Sequence, residues 1–139
     1  MATAFPLFTS RFGAKRLILA SGAAPIRISL GYPRWPLGYT LAGACPLLAP
    51  FGAMLKMDQE LYTRVYRDRL DRLGVATIAA ALQELSDQNE GRGLVLLCFE
   101  NLAKPGQWCH RRLFAAWFEA QTGLPVPELA EAAEPALFT

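Results

Sequence analysis

LVLLCFENLAKPGQWCHRR, residues 94–112, is the stretch on which the fold turns. Its first six residues, 94–99, are apolar without alternation, the pattern of a strand buried on both faces of a sheet. Glu100 follows at once, Lys104-Pro105-Gly106 turns the chain, and Cys109-His110-Arg111-Arg112 opens a helix predicted over 109–122. That opening breaks a rule. The first turn of a helix presents unpaired N–H groups and the positive end of the macrodipole, which disfavours Arg111 and Arg112 there. An anion held by the helix N-terminus and both guanidinium groups resolves the conflict. Arg111 and Arg112 are therefore candidate binding residues, and Glu100, Cys109 and His110 candidate catalytic ones. The structural alternative has these cations reaching into water, or Glu100 pairing with one of them as an ordinary ion pair.

Working outward, residues 5–8 read as a first strand ended by Thr9-Ser10-Arg11, 11–20 as helix or irregular chain, and 26–30 as a second strand. A Pro/Gly-rich excursion over 31–55 is long for a compact domain and reads as a loop or lid. Asp58 caps a helix to Leu73 with Leu61, Val65, Leu70 and Leu73 as its apolar stripe, and Tyr62 and Tyr66 half-buried beside it. Thr77 caps the next helix, to about Gln88. After the helix over 109–122, Gly123 is a stop, 124–129 is an edge strand or plain extended chain because it holds two prolines, and 130–139 is a loose tail.

This succession predicts one α/β domain over 1–129, a small, mostly parallel sheet with helices on both faces. In such sheets ligands bind beyond the C-terminal ends of the strands. That edge gathers Ser10 and Arg11 after the first strand, Tyr32 and Arg34 after the second, and Glu100 with Cys109 to Arg112 after the central one, so all are expected in one site.

Composition supports this frame. A chain of 139 residues buries a core without metal or disulfide staples, and 53% hydrophobic content excludes a disordered chain. Three cysteines, an odd number without a convincing export signal, predict free thiols and a cytoplasmic setting. Residues 1–57 hold six Lys/Arg and no Asp or Glu, against eight and twelve in the remainder. Cations so sparse suit a small anionic ligand at least as well as a polymer. The 21 uncharged residues 35–55 are interrupted by Pro36, Pro46 and Pro50 and by three glycines, which excludes a membrane-spanning helix there. The apolar run 17–20 is too short for a signal-peptide core.

The segments LLCFE and WCHRR resemble the domain of unknown function 488 family, whose signature is an apolar strand ending in Cys-x-Glu followed by Cys-His-Arg at a helix start. The resemblance extends to TSRF (9–12), ISLGYPRW (28–35) and the tyrosine-bearing helix after Lys56. It implies a compact α/β domain with Glu100, Cys109, His110 and Arg111 as the best site candidates. The chain has Arg27-Ile28-Ser29 where relatives look to carry Asp-x-Arg on the second strand.

Two functional readings follow, with neither requiring a cofactor. In the first, an enzyme of hydrolase or transferase type acts on a phosphorylated or nucleotide-like substrate, with Glu100 or His110 as general acid/base and Glu100 or Cys109 as nucleophile. A phosphatase Cys-x5-Arg loop and the Walker and Rossmann glycine patterns are absent. In the second, a non-catalytic module binds a nucleotide or nucleic-acid end, with Tyr32, Trp35 and Tyr39 stacking on a base or simply packing the loop. Metal binding by Cys98, Cys109 and His110 is the weakest reading, since zinc-site spacing is not met, and no metal is expected.

Overall fold

The structure, a computed structural model, describes residues 5–102 and 104–130. In chain order its elements are β1 (Leu7–Arg11), α1 (Lys15–Ser21), β2 (Ala24–Arg27), β3 (Gly43–Ala44), α2 (Gln59–Leu73), α3 (Val75–Gln88), β4 (Leu94–Cys98) and α4 (His110–Thr122). Short 3-10 turns occupy Pro46–Leu48 and Gly52–Lys56. The four strands form one sheet in the order β1-β4-β2-β3, all parallel.

Every residue of β4 is buried, as its unbroken apolar run requires. Leu94 and Leu96 point to one face, into a core with Tyr66 and Leu70 of α2, Ile78 and Leu82 of α3 and Phe114 and Phe118 of α4. Val95 and Leu97 point to the other, where Phe12, Ile18 of α1, Ala23 and the loop residues Leu37, Tyr39 and Leu41 cover them. Each leucine so buried stabilises the fold by about 1.5–3 kcal/mol relative to exposure. The two-faced α/β architecture predicted from the sequence is the one observed.

Element edges moved where tertiary pairing overrode local signals. β1 starts two residues later than expected and includes Ser10 and Arg11, because Leu7 pairs with Leu94 and the register runs on to Arg11 opposite Cys98. β2 begins at Ala24 and tolerates Pro25, whose carbonyl accepts from Ala42 N on the side where β3 begins only at Gly43. The excursion over 31–55 contains β3 and the first 3-10 turn and runs into the second, so it is a packed layer with its own edge strand.

In α2, Asp58 caps as expected, its side chain accepting from Leu61 N. The buried face is Tyr62, Tyr66 and Leu70, with Leu61 39% exposed, so the helix is turned by one residue from the predicted stripe. The hydroxyl of Tyr66 donates to the Leu48 carbonyl at 2.7 Å, which removes the desolvation penalty of burying it. α3 starts at Val75, ahead of the predicted Thr77, because Gly74, at φ 83°, ends α2 and begins α3 without a linker. Residues 124–130 form no strand. They make a single parallel bridge, Thr9 with Glu128, with Thr9 N donating to Pro127 O and Leu129 N to Thr9 O. Residues 131–139 of the predicted tail lie outside the described residues. Among the described residues no helix is long and apolar enough to cross a membrane.

Candidate active site at the ends of β2 and β4

The chain leaves β2 toward β3, whereas it leaves β4 through α4 toward Glu128 on the far side of β1. Adjacent strands whose continuations diverge leave a crevice at their C-terminal ends, the place where open parallel sheets bind ligands. A cavity of about 550 Å³ lies there. Ser29 and Leu30 line it after β2, Phe99 and Glu100 after β4, Tyr62 from α2, and Trp108, Cys109 and His110 at the start of α4. Glu100 and His110, ten positions apart, thus share one cavity.

His110 is buried, and its Nε2 lies 2.7 Å from the Ile28 carbonyl. A carbonyl only accepts, so Nε2 carries the proton and Nδ1 presents its lone pair, 3.6 Å from Cys109 Sγ. Burial, with a smaller contribution from the Arg111 charge, pulls the His110 pKa down to about 4 against the lift from the Ile28 hydrogen bond. The imidazole is therefore neutral at pH 7. Tyr62 packs edge-on against Trp108 at 4.8 Å between ring centres. Burial first, and then the nearby Glu100 carboxylate, raise the Tyr62 pKa, so its hydroxyl stays protonated. Glu100 itself is half-buried.

The conflict at the start of α4 is answered from within the chain. Arg111, with 0% exposure, donates from Nε and Nη2 to Glu128 at 3.0 and 2.8 Å and from Nη1 to Cys98 Sγ at 3.1 Å. Arg112 donates to Thr9 Oγ1 and to the Val126 carbonyl. Both arginines lean sideways and fasten the 124–130 segment to β1. The negative partner is Glu128, beyond the far end of α4, and no local pattern announced it. Cys109 occupies the N-cap position without a side-chain cap, and the first turn of α4 holds no acidic residue.

The other expected site residues do not join this cavity. Ser10 and Arg11 line a separate one of about 650 Å³ with Lys15, Arg16, Asn101 and Glu128. Tyr32 is exposed, with the Arg27 guanidinium 4.1 Å over its ring, and Arg34 is exposed as well. The single site expected from three segments divides accordingly. Sequence reasoning missed Ser29, Tyr62 and Trp108 as cavity walls, and for Tyr62 the signal was present in the Tyr62/Tyr66 spacing that was read as a half-buried flank.

Cys98 and Cys109, expected as free thiols, have their sulfurs joined as a disulfide. Side chains alternate along a strand, so Cys98 shares the face of Leu94 and Leu96, which α4 covers. Cys45 is free and buried, and burial pushes its thiol up to about 11. No family model, curated protein or solved structure matches the chain. Fold and cavity define an α/β protein with a carboxylate, a neutral imidazole and a cysteine pair at the strand ends of a parallel sheet.

Proposed function

We propose that the chain is an enzyme of hydrolase or transferase type acting on a small nucleotide-like or phosphorylated substrate, held in the cavity between the ends of β2 and β4. The convergence of Glu100 and neutral His110 with the uncapped start of α4 in one cavity carries this reading. Glu100 serves as general acid/base or nucleophile. The start of α4, which has no side-chain cap, receives the anionic group, in place of the arginines, which are engaged by Glu128, Cys98, Thr9 and Val126. Tyr62, Trp108 and Phe99 supply apolar walls for a planar ring. The Cys98-x-Glu100 and Cys109-His110-Arg111 motifs support kinship with the domain of unknown function 488 family.

One observation favours a non-catalytic module for a nucleotide or nucleic-acid end. Tyr32, Trp35 and Phe99 are exposed at 67%, 47% and 39%, available for base stacking. A calorimetric screen of nucleotides, ribose phosphates and short oligonucleotides against wild type and Glu100→Gln, followed by product analysis, separates the two. For the enzyme, Glu100→Gln keeps binding and lowers turnover at least about a hundredfold. A change in affinity alone, without turnover in the wild type, selects the binding module. If no anionic ligand binds the wild type, both readings fail.

A further inference from the structure

Three soft ligand groups meet where β4 ends and α4 begins. The Sγ atoms of Cys98 and Cys109 and a ring nitrogen of His110 lie within 4.8 Å of one another, and all three residues are buried. We propose that the reduced protein binds one thiophilic divalent ion of the zinc class through Cys98 Sγ, Cys109 Sγ and His110 Nδ1, with the fourth coordination position facing the cavity. The inference rests on these atoms and is independent of the catalytic role given to Glu100.

Spacing comes first. Zinc bonds of about 2.3 Å to sulfur and 2.0–2.1 Å to nitrogen place tetrahedral ligand atoms roughly 3.5–3.8 Å apart. Cys109 Sγ and His110 Nδ1 already stand at 3.6 Å, while the two sulfurs, joined in the disulfide, part to that spacing only on reduction. The Cα atoms of Cys98 and Cys109 are 7.6 Å apart, beyond the span of about 4.4–6.8 Å usual for a disulfide. That wider backbone suits two thiolates on either side of an ion. The cysteines stand eleven positions apart, with the histidine next to the second. Zinc motifs are read from close cysteine pairs, so spacing made this trio the weakest reading of the sequence, whereas strand-end and helix-start geometry brings its ligand atoms together.

The surroundings fit the same assignment. Metal-binding histidines usually donate their second ring N–H to a carbonyl or carboxylate, which fixes the tautomer, and here Nε2 makes that contact with Ile28 O at 2.7 Å. Arg111 Nη1 donates to Cys98 Sγ, a contact that favours a thiolate. The Arg111 charge is matched by Glu128, and a divalent ion is matched by two thiolates, so loading leaves the buried region without net charge. Two sulfurs and an imidazole exclude magnesium and calcium, which take oxygen ligands. Cys109 and His110 line the cavity, so the fourth position is open to water or substrate, as in catalytic zinc sites.

The test uses full-length protein reduced with a phosphine, stripped with a chelator and titrated with Co2+. One equivalent should bind, producing the near-ultraviolet thiolate-to-cobalt charge-transfer band and the visible bands of a tetrahedral ion, and Zn2+ should displace it. Added Zn2+ should also raise the melting temperature of the stripped protein, by mass action. Cys109→Ala, at the helix cap, should remove the charge-transfer intensity of its thiolate and weaken binding at least tenfold, while Cys45→Ala should retain both. Uptake below one equivalent without a thiolate band, full binding by Cys109→Ala, or loss of the band in folded Cys45→Ala overturns the proposal.

Discussion

Replacing Glu128 by glutamine removes the charge opposite a guanidinium that has no access to water. Arg111 is fully buried, and Glu128 meets it with both carboxylate oxygens, at 2.8 Å from Nη2 and at 3.0 and 3.2 Å from Nε. Removing one partner of a buried pair costs about 3–5 kcal/mol, because the other charge is left unmatched in low dielectric. The Glu128 side chain is 31% exposed, so water reaches that side and the cost falls at the lower end, about 3 kcal/mol. The bond from Thr9 Oγ1 to Glu128 Oε1 is weakened too, which loosens the 124–130 segment from β1. For a chain of this size 1 kcal/mol shifts the melting temperature by roughly 3–4 °C, so Glu128→Gln should melt roughly 10 °C below wild type. Calorimetric melts at low and high salt are the assay, alongside an Arg111→Met/Glu128→Leu double variant that should recover most of the loss. A loss below about 1 kcal/mol, or one that salt erases from the wild type, would show an exposed pair and refute the account of Arg111 as architecture.

Two further outcomes follow from buried polar groups. His110 stays neutral when folded down to about pH 4, whereas the unfolded chain protonates it near 6.5. Its contribution is complete above pH 6.5 and is lost as pH falls toward 4, by about 3 kcal/mol. Urea unfolding of wild type and His110→Gln across that window should show a shallower slope in the variant, and equal slopes would refute the burial effect. Tyr66→Phe leaves the Leu48 carbonyl without its donor and should cost about 1–3 kcal/mol in urea, with an unchanged m-value; a loss under about 0.5 kcal/mol would mean that water takes the place of the hydroxyl.

Much of the site was legible because strand ends and helix starts carry local signals. The apolar run before Glu100 and the turn before Cys109 place the carboxylate, cysteine and imidazole at adjoining termini, and all three line one cavity. Ser10 and Arg11 were misplaced because a strand's far end moves with its register, and pairing with β4 extends β1 to Arg11. Once in the strand, they line the separate cavity on the α1 side.

By itself the sequence determined the α/β class, the double-faced burial of β4 and the Asp58 cap, since each depends on periodicity or on hydrogen bonds reaching only three or four residues. Tertiary structure alone decided which face of α2 is buried, because Tyr66 can be buried only where the Leu48 carbonyl, 18 residues away, accepts its hydroxyl. It also decided that Arg111 is matched by Glu128, and that Cys98 meets Cys109 and His110. Those contacts require α4 to lie across the end of β4 and the chain to return beside β1, and burial then makes each charge or polar group choose the partner within reach.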